Sequence, residues 1–362
     1  MKVYGCKISY YTGKLEAYLR YRSLTYTNLP LVGEEKKLRK NAGASQMPVV
    51  ELDDGRWITD SSPMIAWLDS EHNAASIYPE DHILRFAALM VEDYADEWLW
   101  RPAMHYRWSY RSSRNYAAQA IYEDQIEGRL QIPRFLALRR IKKRQLGEFV
   151  KGDGVNKRSR AHCDQTYLKA LDLLEAIFKK RPFIMGNSPT IADFGMMGPM
   201  FRHFGMDPYP AEIMRERAPG VYEWVARVWN CKGDDIMPNL IETVDDALVS
   251  LLIECCETSL AQHRQNAQAF GEDLSRFDMD IQGTTYERVP SSRYRVWCLE
   301  ELRREWNMLE HNAQEKLKRI LSSSKAKILW DNSEFSRSEY DTDRKAPFNK
   351  AINVFGNGIP PR

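Results

Sequence analysis

Cys6, Ser9, Tyr10, Tyr11 and Thr12 put one thiol and four hydroxyls between the first strand-like run of this chain and its first helical pattern. Hydroxyl donors at the mouth of a helix, where the first backbone N–H groups lack partners and the dipole is positive, can hold an anion. Further on, Met47-Pro48 leads into the β-branched pair Val49-Val50, and Asp60-Ser61 opens the apolar stretch Ser62-Pro63-Met64-Ile65-Ala66-Trp67-Leu68. A Ser hydroxyl beside the free N–H groups of a helix start suits a carboxylate. The six cysteines, Cys6, Cys163, Cys231, Cys255, Cys256 and Cys298, show neither CxxC nor metal-ligand spacing. That pattern fits idle thiols in a reducing cytosol and argues against a disulfide framework and against zinc.

The elements that must position these residues can be read from periodicity. Residues 2–5 read as a strand, 14–22 as a helix with Leu15, Tyr18, Leu19 and Arg22 on one face, and 26–31 as a second strand. A short charged helix or loop over 34–40 follows. Residues 47–52 and 57–59 form a hairpin around Asp53-Asp54-Gly55, and a helix from Ser61 or Ser62 to Ser70 closes the unit. Beyond Ile77-Tyr78-Pro79 the pattern is helical over 81–100, 162–180, 221–229 and 245–270. Thr190 and Asp193 have the spacing of a capping box, and Pro189 and Phe194 that of its hydrophobic staple. Residues 277–286 alternate as two strands around Gly283, and Pro290-Ser291-Ser292 starts a helix expected to run to about 321.

Gln46-Met47-Pro48-Val49-Val50, Asp60-Ser61 and Gly186-Asn187-Ser188-Pro189-Thr190-Ile191-Ala192-Asp193-Phe194 resemble the cytosolic glutathione transferases, over about residues 1–245. The resemblance implies an α/β thioredoxin-like domain at 1–78 and an all-α helical-bundle domain at 82–245, with a basic insertion at 101–160. A mixed α/β extension at 246–335 and an extended tail at 336–362 complete the expected plan. In that family the proline is cis, which presents the main chain of Met47 to the cysteinyl residue of glutathione while Pro48 holds the geometry. Asp60 then takes the γ-glutamyl ammonium, Ser61 its carboxylate, and Lys40, within the run Lys36, Lys37, Arg39 and Lys40, the glycyl carboxylate. The catalytic position falls on Ser9, with Tyr10, Tyr11 and Thr12 as alternatives; Cys6 lies too early. A donor there must bring a thiol pKa near 8.5 down by a unit or two, at about 1.4 kcal/mol each. Trp100, Met104, His105 and Trp108 would wall an apolar electrophile pocket or pack the bundle core.

The implied activity is conjugation of the glutathione thiolate to a hydrophobic electrophile, as in detoxification, or ether or halide displacement. Glutathione would be the co-substrate without a metal, the assembly a homodimer and the location the cytoplasm. The alternative is a transferase-like binding or scaffold protein whose 246–362 region meets a partner. With 362 residues, 43% hydrophobic and a net charge of +2, the chain can bury a proper core and carries no global field toward nucleic acid or an acidic membrane surface, so any such binding would be local and no membrane partner is expected. No apolar run approaches the ~20 residues of a membrane span. The block 139–160 holds Arg139, Arg140, Lys142, Lys143, Arg144, Lys151, Lys157, Arg158 and Arg160; it could contact RNA or phosphates, but it lacks the aromatic interleaving of a single-strand binder and reads as a solvated loop or a dimer-edge surface.

Overall fold

Alternation within four short strands builds the first layer. The computed structural model describes residues 1–43, 45–233, 236–331 and 334–340. Strands β1 (Lys2–Tyr4), β2 (Thr27–Leu29), β3 (Val49–Glu51) and β4 (Trp57–Thr59) lie in the order β2-β1-β3-β4. The β1–β2 pair is parallel and the other two are antiparallel. Val3, Val50 and Ile58 share one register row and enter the main core with helices α1 (Tyr10–Tyr21) and α3 (Ser61–Ser70). Tyr4, Val49 and Trp57 point to the opposite face and pack with Leu38 and Ala42 of α2 (Glu35–Ala42), as a period of two requires. Gly55 turns the β3–β4 hairpin at φ 83°, a conformation costly for other residues.

Behind this layer stand α4 (His82–Asp93), α5 (Trp100–Ser109), α6 (Arg111–Ile121), α7 (Arg134–Gln145), α8 (Arg160–Phe178), α9 (Ile191–Met197), α10 (Pro208–Arg217) and α11 (Pro219–Asn230). A π turn at Tyr94–Trp98 joins α4 to α5. Gly195 lets α9 cross α4 closely, since a Cβ there would stand 2.9 Å from Glu92 Cα. Residues 101–108, the start of the expected basic insertion at 101–160, are all buried in α5. Arg101 and Arg107 are buried there and paired to Asp153 and Asp207.

The expected long helix over 245–270 is α12 (Asp246–Cys255) and α13 (Ala261–Gly271), joined by a π turn. The hairpin is β5 (Arg276–Ile281) with β6 (Thr284–Pro290), turning at Gln282 and Gly283, both at positive φ. Met279, Ile281, Tyr286 and Val289 bury its inner face. The final helix differs from expectation. It stops at Asn307 as α14 (Arg293–Asn307) and resumes as α15 (His311–Ile320), letting Leu309 pack inward at the break. Helices α12 and α14 pack on α4, whose residues 86–92 are buried on every side. The expected tail at 336–362 is packed where it is described: Ser338 and Tyr340 are buried, and Ser338 bonds Glu300 of α14. The tail beyond 340 lies outside the described residues. Among the described residues no helix is long and apolar enough to cross a membrane.

Asp193 is the tie within the bundle. Its carboxylate accepts from Thr190 N–H (3.0 Å), Ile184 N–H (3.0 Å) and Trp224 Nε1–H (3.0 Å) while fully buried, and burial raises its pKa to about 6. Removing one partner of a buried bond leaves the others unsatisfied, at ~1–3 kcal/mol per group. Asp193→Ala should therefore cost at least ~3 kcal/mol in urea unfolding, and a loss below ~1 kcal/mol would contradict this role.

Candidate functional site

One end of the sheet gathers the residues singled out above. Tyr4, Val49 and Thr59 form a single register row across β1, β3 and β4. The loop to Ser9, the Met47-Pro48 pair and Asp60 all leave the sheet just past that row. Ser9 is the N-cap of α1, half-buried, with its Oγ accepting from Thr12 N–H at 3.4 Å. Because Oγ only accepts in this contact, its hydroxyl proton remains available. The two neighbouring phenols are committed elsewhere. Tyr10 donates to Ala95 O (2.5 Å) and Tyr11 to Asp96 O (3.0 Å), and burial holds both phenols well above their usual pKa. Thr12 is buried, its Oγ1 without a hydrogen-bond partner among the described residues. Burial, reinforced by Asp124, pushes the Cys6 thiol up to about 12, the reverse of what a nucleophile needs.

The Met47-Pro48 peptide is cis. Pro48 O accepts from Thr59 Oγ1–H at 3.1 Å, whereas neither backbone polar group of Met47 has a partner among the described residues. Asp60 precedes α3 at φ 71°, an unusual conformation for a non-glycine residue. Burial raises its carboxyl to about 6, against the opposing effects of the Tyr294 hydroxyl and the Lys14 charge. The two serines that follow differ. Ser62 Oγ accepts from Lys14 Nζ (2.7 Å) and donates to Asp96 Oδ2 (3.0 Å), while the Ser61 hydroxyl has no partner among the described residues. Lys40 is exposed; its neighbour Lys37 is bound to Glu51 and Tyr4.

The expected electrophile wall is dispersed. Trp100 stacks on Tyr11 at 5.6 Å and meets the ring of Phe149 edge-on. Met104 and Trp108 lie in the main core instead. His105 bonds Ser109 Oγ at 2.9 Å and stands 3.2 Å from Asp164 Oδ1, without the alignment of a hydrogen bond. The resemblance had put all four on one wall, with core packing as the alternative; residues 101–108 of α5 are buried all round, so its faces meet different neighbours.

Sequence reasoning missed the groups that hold the site. Lys14, fully buried, bonds Glu92 Oε1 at 2.8 Å and Asp96 Oδ2. These carboxylates raise its pKa further despite burial; burial in turn raises that of Asp96, which Lys14 opposes and Glu92 reinforces. Arg107 donates to Ile8 O (2.7 Å), directly before Ser9, and to Asp207. Gln125 bridges Gly5 O and Leu31 N–H, both at 2.9 Å. From the extension, Tyr294 donates to Asp60 Oδ1 at 3.2 Å, and Arg295 pairs with Glu97 at 3.1 Å. The only sequence signal for these was polar side chains on otherwise apolar helix faces.

Comparison with known proteins gives two family matches: the glutathione S-transferase N-terminal domain over residues 3–76 and the C-terminal domain over 157–227. Among solved structures, the β-etherase LigF from Sphingobium sp. strain SYK-6 is similar at 15% identity, covering 70% of this chain and 98% of that one, with a TM-score of 0.45. A glutathione S-transferase from Rhodospirillum rubrum F11 is similar at 16% identity, covering 63% and 86%, with a TM-score of 0.41. Gtt2 from Saccharomyces cerevisiae is similar at 18% identity, covering 63% and 95%, with a TM-score of 0.38. No curated protein is a significant match.

Breaking a buried ion pair by removing one partner typically costs ~3–5 kcal/mol. Lys14→Met should lose that much near neutral pH. Without the cation, the folded-state pKa of Asp96 rises further above its unfolded value, so the folded state binds more protons and the deficit shrinks as pH falls. Urea unfolding at a series of pH values checks this; a deficit that grows on acidification would refute it.

Proposed function

We propose, from the chain's membership of the cytosolic glutathione transferase superfamily, that it binds glutathione at this end of the sheet and joins its sulfur to an electrophilic carbon. The observation that carries the reading is the common register row Tyr4–Val49–Thr59, beyond which Ser9, Met47 and Asp60-Ser61 emerge together. In this reading the open backbone groups of Met47 pair with the cysteinyl residue and the unpaired Ser61 hydroxyl, with the α3 N-terminus, takes the γ-glutamyl carboxylate. Asp60 faces the γ-glutamyl ammonium. Lys40 reaches the glycyl end.

Ser9 is the thiolate donor. It caps α1 at the positive end of the helix dipole, the competing phenols of Tyr10 and Tyr11 spend their hydroxyls inward, and Thr12 is buried. The thiol loses its proton to solvent, and the sulfur lone pair forms the new S–C bond. In an addition the resulting anion takes up a proton; in a displacement, a halide or alkoxide leaves with the electrons of its bond. Trp100, stacked on Tyr11, forms the wall beside the sulfur, which favours an apolar electrophile. The burial of five of the six free thiols fits a reducing cytosol.

Glutathione at 100 times its dissociation constant should stabilise the fold by ~2.7 kcal/mol, read as a rise in melting temperature; no rise at millimolar ligand would end the proposal. Ser9→Ala is expected to leave that rise nearly intact and to lower turnover by about a hundredfold, the effect of losing one donor to a reacting anion. Unchanged turnover would remove Ser9 from the role. The affinity should also fall as pH drops through about 6, because Asp60 then gains a proton and no longer attracts an ammonium. A pH-independent dissociation constant across that range would remove Asp60 from the ammonium site.

A further inference from the structure

Residues 128–147 carry Arg129, Arg134, Arg139, Arg140, Lys142, Lys143 and Arg144 and no acidic residue, in a chain whose net charge is only +2. Helix α7 sorts them by face. Ala137 and Ile141 are buried against the body of the protein, whereas Arg134, Phe135, Arg139, Arg140, Lys143 and Arg144 stand exposed on the other side. Four of the seven have internal contacts: Arg129 with Asp124 O, Arg134 over the Tyr122 ring, Lys142 with Asn115 and Arg144 with Glu148. Arg139, Arg140 and Lys143 have none among the described residues. Phe135, at i−4 and i−8 from Arg139 and Lys143, shares their face and is 70% exposed; Leu130, just before the helix, is 44% exposed.

We propose that this outer face of α7 docks on an anionic lipid bilayer, with Leu130 and Phe135 entering the headgroup boundary and the three free cations meeting the headgroups. An aromatic and an aliphatic tip flanked by cations matches an interface that is apolar beneath and negative above. A convex helix face carrying one exposed aromatic offers no groove with stacking platforms for single-stranded nucleic acid. The same helical run continues from α7 into Leu146–Val150, where Phe149 meets Trp100. On the transferase reading, docking holds the Trp100 wall within about 20 Å of the phase in which apolar electrophiles dissolve; bilayer binding itself does not depend on that reading.

The test is co-sedimentation of the whole chain with vesicles of phosphatidylcholine containing about 30% phosphatidylserine, against pure phosphatidylcholine. Binding is expected to the anionic vesicles only and to be lost as salt rises from about 0.1 to 0.5 M. The triple variant R139Q/R140Q/K143Q should bind about a hundredfold more weakly, roughly fivefold per cation. Phe135→Ser should weaken binding severalfold at every salt concentration. An unchanged urea midpoint keeps these comparisons on folded protein, and the salt titration of the unaltered chain decides the matter if a variant fails to fold. No binding to anionic vesicles, equal binding to neutral ones, or a triple variant that binds as well as the parent would overturn the proposal. A single-stranded RNA oligonucleotide held through these same residues, with no vesicle binding, would overturn it in favour of nucleic acid.

Discussion

The Lys14 ammonium is the group on which the arrangement depends. It sits in α1, fully buried, and its partners come from α3 (Ser62), α4 (Glu92) and the π turn after α4 (Asp96). An ion desolvated this completely is tolerable only with several partners in good geometry. The cluster therefore couples the sheet layer to the bundle, directly behind the helix starts that carry Ser9 and Ser61. The same π turn supplies the carbonyls of Ala95 and Asp96 that occupy Tyr10 and Tyr11. A widened turn faces carbonyls outward from the helix ladder, and here they select which hydroxyl of the cluster stays unspent.

Around this centre, two separate parts of the chain brace the loop before α1 at three points. Arg107 of α5 grips Ile8 O, while the adjacent Gln125 and Asp124 grip Gly5 O and accept from Lys7 N–H, respectively. Loops with polar backbone are costly to bury unless such partners exist. A site loop held at three successive points loses little further freedom when a ligand arrives, which is the general advantage of preorganisation. The stretch from Asp124 through α7 thus contributes inward as well as outward, through Gln125 on one side and the exposed cations of α7 on the other.

Much of the fold was legible because it is written in local chemistry. The bounds of α3, the Asp53-Asp54-Gly55 turn and the Thr190–Asp193 cap follow from short-range rules about helix starts and turns. What escaped was set by distant partners. Lys14 reads as one polar residue on a helix, and only Glu92 and Asp96, 78 and 82 residues later, make it a buried ion. Arg101 and Arg107 likewise find their partners, Asp153 and Asp207, 52 and 100 residues later. Nothing local marks the break at 308–310 either, which has neither Gly nor Pro and follows from packing.

The Tyr294–Asp60 contact spans 234 residues of chain. A growing polypeptide therefore carries Ser9, Met47 and Asp60 out of the ribosome, and can fold the sheet around them, while the hydroxyl that meets Asp60 is still untranslated. At synthesis rates of about 5–20 residues per second that interval lasts on the order of ten seconds or more. During it the Asp60 carboxylate faces solvent, and the pocket takes its final electrostatic character only when the last helices close over α4. The order of translation makes this end of the sheet earlier to be made than the helices that finish it.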